Sequence, residues 1–152
     1  ALIDPKNIQL MEDFGVLTKV EMESRYEVEL EHYSKIINIE ALTMLEMARK
    51  QLLPAINAYM SEVANTAASK LAVSESLSVR SETKTLSHLS ADADAMSDAI
   101  DELQAAVDAA KAFHDDVLLK MDALRAAADD AETICGEDYW PLPSYSKMLY
   151  YV

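Results

Sequence analysis

The sequence predicts an all-α protein: an elongated antiparallel bundle of long helices, with a Pro-kinked central helix and an aromatic, extended C-terminal tail. Three observations carry this. The 152 residues contain only two glycines and four prolines, and none of the glycines falls between Val16 and Cys135. A sheet protein needs many tight turns and the glycines to make them. Apolar residues then recur at spacings of three and four over most of the chain. Finally, 51% of the residues are hydrophobic, enough for one domain with a real core.

Asp4-Pro5 opens a short helix, an N-cap acid followed by proline at the first helical position. Ile8, Met11 and Phe14 share its inner face, and Gly15 closes it as a C-cap glycine. Thr18-x-x-Glu21 is a capping box for the next helix. Met22, Tyr26, Leu30, Tyr33, Ile37, Ala41, Met44 and Ala48 form its seam. Glu21, Glu23, Glu27, Glu29 and Glu31 make a solvated face near its N-terminus, where acids suit the helix dipole.

From Ile36 to Ala55 the pattern thickens. Ile39, Leu42 and Leu45 add a second apolar side, so this stretch is expected to be buried on more than one side. Pro54 lacks an N–H and crowds the preceding turn. Only Asn57 nearby favours a turn, so a kink is expected rather than a break. The seam resumes with Leu53, Ile56, Met60, Val63 and Ala67. The serine-rich segment 69–81 loses periodicity and reads as a turn.

Leu86, Leu89, Ala93, Met96, Ile100, Leu103, Val107 and Ala110 then give a heptad seam suited to near-parallel helix packing. Lys111 to Asp116 reads as a second turn, with His114 or Asp115 near the next N-cap. Val117, Met121, Leu124, Ala128 and Ala131 continue the spacing, and Gly136 is expected to end that helix. At ~1.5 Å per residue the helix from Thr18 to Leu53 is ~54 Å long and that from Val79 to Ala112 ~50 Å. The tail, 136–152, carries Tyr139, Trp140, Tyr145, Tyr150 and Tyr151, half of the ten aromatics. Pro141 and Pro143 keep its first part extended, and Ser144 is placed to cap a short helix with Met148 and Leu149. Such a tail is expected to lie in a groove. The whole chain thus reads as one helical domain: a short helix and cap over 1–17, a long central helix over 18–72, a hairpin over 79–135 and a docking tail over 136–152. Its start at Ala1, directly into a helix-start signal, is what a piece of a longer chain would show.

The formal net charge is −14. Nucleic acid and anionic membrane surfaces are therefore not expected partners, because both need Lys and Arg. A basic protein surface is a compatible one. The single cysteine, Cys135, excludes an internal disulfide and fits a cytoplasmic setting. No apolar run reaches the ~20 residues of a membrane span, and no signal peptide is read.

No catalytic, cofactor-binding or metal-binding residue is assigned. Glu29-x-x-His32 has the spacing of di-iron bundles, but such sites need two of these motifs, and neither His88 nor His114 has an acid three residues before it. His114-Asp115-Asp116 sits at a predicted helix start, where capping explains it. Cys135 has no base fixed near it in sequence. Asp92, Asp94, Asp98, Asp101 and Glu102 lack the glycine of a calcium loop and read as a solvated face. Met44, Met47 and Met60 read as core filling. Phosphate loops, dinucleotide fingerprints and hydrolase elbows are absent from the sequence.

Two stretches resemble one family. The first comprises Phe14-Gly15-Val16-Leu17-Thr18, Glu23-Ser24-Arg25-Tyr26-Glu27, Ile37 to Met44, Met47-Ala48 and Leu53-Pro54-Ala55. The second runs from Tyr139-Trp140-Pro141-Leu142-Pro143-Ser144-Tyr145 to the end, with Met148-Leu149. In this order, at the two ends of the chain, they resemble the C-terminal helical region of type III glutamine synthetase, the long bacterial form. The middle is similar only in being helical and acidic. The resemblance implies a large cytoplasmic ligase joining ammonia to glutamate through a γ-glutamyl phosphate, with ATP and Mg2+ or Mn2+, and assembled as a homo-oligomer of stacked hexameric rings. It implies that ATP, glutamate and metal are held upstream, so no cofactor is expected in this stretch. The expected partners are the chain's own upstream catalytic domain and neighbouring subunits. On that reading Ile36 to Ala55 joins a helical arm to the enzyme body, and its role is packing, assembly or regulation. A free-standing acidic helical adaptor is the alternative, and a metal-binding bundle a third.

Overall fold

The computed structural model describes residues 2–109, 115–143 and 145–149, and every regular element among them is helical. Helix α1 spans Pro5–Asp13. The Asp4 carboxylate accepts the Lys6 N–H at 3.0 Å, which satisfies one of the donors a helix start leaves free. At the other end Gly15 N–H donates to the Glu12 carbonyl and Val16 N–H to that of Met11, the two bonds of a Schellman cap. This cap needs a left-handed residue, and Gly15 has φ +63 with nothing within 4 Å of where a Cβ would stand. Ile8 and Met11 are half-buried as expected, whereas Phe14 is exposed.

Helix α2, Lys19–Met47, starts in a complete capping box: Glu21 N–H donates to Thr18 Oγ1, and Thr18 N–H to the Glu21 carboxylate at 2.8 Å. The Thr18 N–H, and then the Thr18 hydroxyl, which also donates to this carboxylate, hold the Glu21 carboxyl below the usual carboxylate range. Between Lys19 and Ile36 only Met22 is buried. Tyr33, placed on the seam by its spacing, is 51% exposed. This first half has little beside it to pack on. Outward i,i+4 pairs, Lys19–Glu23 and Glu31–Lys35, support it instead, at about 0.2–0.5 kcal/mol each.

The core begins at Ile37 and continues through Ala41, Leu45, Ala48, Leu52 and Ile56. Pro54 does not interrupt the helix. Residues Ala48–Leu52 form a π-turn, in which Leu53 N–H donates to the Ala48 carbonyl five residues back, and α3 follows as Leu53–Val73. The ring of Pro54 would crowd the carbonyl four residues before it, that of Lys50. The wider turn lies around that carbonyl. Helical backbone therefore runs unbroken over 55 residues, about 82 Å at ~1.5 Å per residue.

The turn read over 69–81 is narrower, at 74–79. Ser74 leaves the helix with an extended backbone, and its hydroxyl accepts the Ser76 N–H. The Ser78 hydroxyl accepts the Arg80 N–H as α4, Arg80–Ala109, begins. Across this turn the Lys70 ammonium pairs with the buried Glu82 carboxylate, which also accepts the Ser81 hydroxyl at 2.9 Å. Farther along, Arg49 Nη1 donates to Gln104 Oε1 at 2.9 Å, so α4 runs antiparallel to the long helix. Leu89, Met96, Ile100 and Leu103 of its seam are buried, each contributing roughly 1.5–3 kcal/mol. Helix α5, Asp115–Glu132, returns alongside α4, with Lys120 Nζ on Glu102 Oε2 at 2.9 Å and Val117, Leu124 and Ala131 buried. Most of the turn expected at 111–116, and the caps read at His114 and Ser144, lie outside the described residues.

Gly136 does not end α5. The helix stops at Glu132, where the Thr133 hydroxyl takes the Asp130 carbonyl and Cys135 N–H the Ala131 carbonyl. Gly136 lies outside the left-handed region. It is small because the Tyr59 ring passes over it: an added Cβ would stand 3.1 Å from Tyr59 Cε2. Beyond it Trp140 is 8% exposed and belongs to the core, and a last short helix, α6, spans Tyr145–Leu149.

Candidate functional site

The helical period decides which sides of Ile36–Leu53 face the bundle. Ile37, Ala41, Leu45, Ala48 and Leu52 follow one another at three and four and are all buried. Ile39 falls on the opposite side, 64% exposed, and Ile36 and Leu42 flank it at 40% and 47%. The second apolar side read from the sequence is thus split. Leu45 joins the core, while Ile36, Ile39 and Leu42 are uncovered.

Between this outer face and α5 lies a trough that sequence reasoning missed. Its upper hollow, about 400 Å³, runs past Ile39, Thr43 and Met121. Its lower hollow, about 360 Å³, is floored by Ala48, Leu52, Leu124 and Ala128 and closed by the tail at Leu142, Pro143 and Met148. Met44, Met47 and Arg125 line both. Met44 and Met60, both half-buried, pack on the core, as core filling requires, and Met44 together with Met47 also walls the trough. The signal was the pair of methionines three apart, at the edge of the core stripe, with Met44 on the seam and Met47 beside it.

The candidates weighed for chemistry are not brought together. Glu29 and His32 are both exposed on α2. Asp94, Asp98, Asp101 and Glu102 are exposed on α4, and Asp92 is half-buried. The Glu102 carboxylate raises the pKa of the Lys120 it holds. Cys135 is buried, and burial pushes its thiol up, against the smaller opposing effect of the Gly136 N–H. It is therefore a poorly ionised thiol rather than an activated one. Among the described residues no group of three or more His, Cys, Asp or Glu is placed to hold a metal ion, and no helix is long and apolar enough to cross a membrane.

What the fold and surface define is an acidic antiparallel helical bundle with an uncovered apolar face on its longest helix. Comparison with known proteins gives the family. The family described as "Glutamine synthetase C-terminal domain" matches residues 1–71, which contain this face, and the chain belongs to that family. It is similar to a glutamine synthetase of Butyrivibrio fibrisolvens, 34% identical over 97% of this chain, and to the type-3 glutamine synthetase of Dictyostelium discoideum, 30% identical over 95%. The chain spans about a quarter of the length of these relatives, 23% and 22%. No solved structure matches it.

Proposed function

We propose that this chain serves as the non-catalytic C-terminal helical domain of a glutamate–ammonia ligase, packing through the outer face of Ile36–Leu53 against the catalytic part of the same enzyme. The observation that carries the reading is the exposure of Ile36, Ile39 and Leu42 inside the family-matched segment. Contiguous exposed aliphatic side chains on one helix face, unlike single scattered ones, mark an interaction surface. Covering them is worth about 1 kcal/mol each, roughly half the value of burying a fully exposed side chain.

The full-length enzyme makes glutamine from glutamate, ammonia and ATP, in the cytoplasm and as a homo-oligomer. The residues described here do not fit ATP-bound Mg2+ or Mn2+, since no suitable group of acids is assembled among them. Those ligands are held by the catalytic part. The helical domain contributes the fit between the pieces, and through it assembly or regulation.

Two measurements test this. The isolated chain is expected to show no ATP turnover dependent on glutamate and ammonia; turnover by the chain alone overturns the non-catalytic assignment. In the full-length enzyme, Ile39→Glu with Leu42→Glu is expected to release the domain, seen as new protease cleavage after Glu residues of α2 and loss of the assembled oligomer. An enzyme with Ile39 and Leu42 fully solvated, and indifferent to these changes, overturns the packing.

A further inference from the structure

We infer that the trough between α2 and α5 is a binding site for a basic-flanked amphipathic helix of another protein segment. It goes beyond the packing reading, because apart from Ile39, which lies at the edge of both, it concerns the side of α2 that faces α5 rather than the outer face that bears Leu42. Three features point to this occupant. The first is shape. The two hollows share Met44 and Met47 and run from Ile39 to Leu52 along α2. That is about 20 Å at ~1.5 Å per residue, the length of a helix of about 13 residues. The second is the lining. Methionine side chains are flexible and polarisable, and apolar grooves that accept a helix through its i, i+3, i+4 and i+7 residues use them. Here Leu142 and Met148 supply the remaining anchoring surface, and Met148 is 57% exposed.

The third feature is charge, and it selects the partner. The trough is rimmed by Glu40, Asp122, Asp129 and Glu132 against a single base, Arg125, whose guanidinium already lies 3.6 Å from Asp129. An acidic helix is repelled by this rim. A helix with Lys or Arg beside its apolar face is complementary to it. Exposed ion pairs are individually weak. The rim therefore sets orientation, partner choice and association rate, while the apolar floor supplies the affinity.

Trp140 is the chain's only tryptophan, and it stands two residues before Leu142 of the lower hollow, so its fluorescence reports on occupancy. The probe is a synthetic helical peptide of 14 residues with leucines at i, i+3, i+4 and i+7 and lysines on both flanks, compared with the same peptide carrying glutamates. The lysine peptide is expected to bind saturably and about tenfold more tightly than the glutamate peptide, with the difference fading as salt shortens the screening length. Met47→Glu should abolish binding. Asp129→Lys with Glu132→Lys, both exposed, should weaken the lysine peptide about tenfold and favour the glutamate one. Leu42→Glu, which tests the packing reading, should leave peptide binding unchanged. Equal affinity for the two peptides, no saturable binding, or loss of binding in Leu42→Glu but not in Met47→Glu would each overturn the inference.

Discussion

Gly136→Ala isolates one contact and gives it a sign. The backbone at Gly136 is outside the left-handed region, so alanine meets no φ penalty there. On its own that change would stabilise the protein by about 0.4–1 kcal/mol by reducing the freedom of the unfolded chain. Against this, the new Cβ would stand 3.1 Å from Tyr59 Cε2, 3.4 Å from its Cδ2 and 3.5 Å from Tyr139 Cδ2. To relieve this contact the half-buried Tyr59 ring has to give by a few tenths of an ångström. It packs against the core and lies 5.3 Å, centroid to centroid, from the Tyr139 ring at 46°. Crowding of this kind costs about 1–3 kcal/mol. The expected net loss is about 0.5–2 kcal/mol, or a fall in Tm of roughly 1–8 °C for a chain of this size. Urea unfolding of four proteins separates the two effects: the wild type, Gly136→Ala, Tyr59→Ala and the double variant. With the ring removed, the same glycine substitution should become neutral or stabilising. An equal loss in both backgrounds would refute the steric reasoning.

Three further outcomes are expected. Hydrogen bonds from the Lys70 ammonium, then from its own backbone N–H and the Ser81 hydroxyl, hold the Glu82 carboxyl down at about 2 from 4.5; being depressed in the folded state, it contributes stability that is complete above 4.5 and lost as pH falls toward 2. Glu82→Gln should accordingly be less stable than wild type at pH 7, and unfolding curves should show the gap closing below pH 4.5; a gap independent of pH argues against the pairing. The Trp140 indole N–H has no acceptor among the described residues, so Trp140→Phe should cost well under the roughly 3–5 kcal/mol of Trp140→Ala, and equal losses in denaturant titrations would contradict this. Thr18→Ala should cost about 1 kcal/mol and speed hydrogen exchange at the Glu21 amide, while exchange at Leu103 should speed up only as far as the loss of global stability accounts for; equal acceleration at the two amides would contradict a local cap.

Signals that are local in sequence were legible because their physics is local. Asp4-Pro5, Gly15 and the Thr18–Glu21 box act within five residues, and each cap forms where its residues predict. The α4 seam was legible through period alone, since one helix face must be apolar to be buried, and Leu89, Met96, Ile100 and Leu103 are buried. What spacing cannot show is what stands across the gap. Tyr33 has the right period but little to pack on, and so is exposed. Gly136 resembles a helix stop, yet its partner is Tyr59, 77 positions away in sequence. Glu82, just past the serine-rich turn, has no apolar period to mark it, and is buried because the turn returns it to Lys70. The trough likewise needs α2, α5 and the tail side by side before Met44 and Met47 become its walls.

The π-turn at Ala48–Leu52 also fixes the rotational phase of the long helix. An extra residue held in one wide turn shifts everything beyond it by about 100° relative to an uninterrupted α-helix. Ala48, Leu52 and Ile56 all reach the core across the turn with it in place. If the same residues closed into regular α geometry, the N-terminal half would turn by that angle against α3, and Ile37 and Ala41 could no longer share the core with Ile56. Deleting a single residue there, such as Lys50, would instead close the helix without rotating it, because the residue removed is the one the wide turn absorbs. The wide turn therefore sets the direction in which the whole N-terminal half of the protein presents its surface.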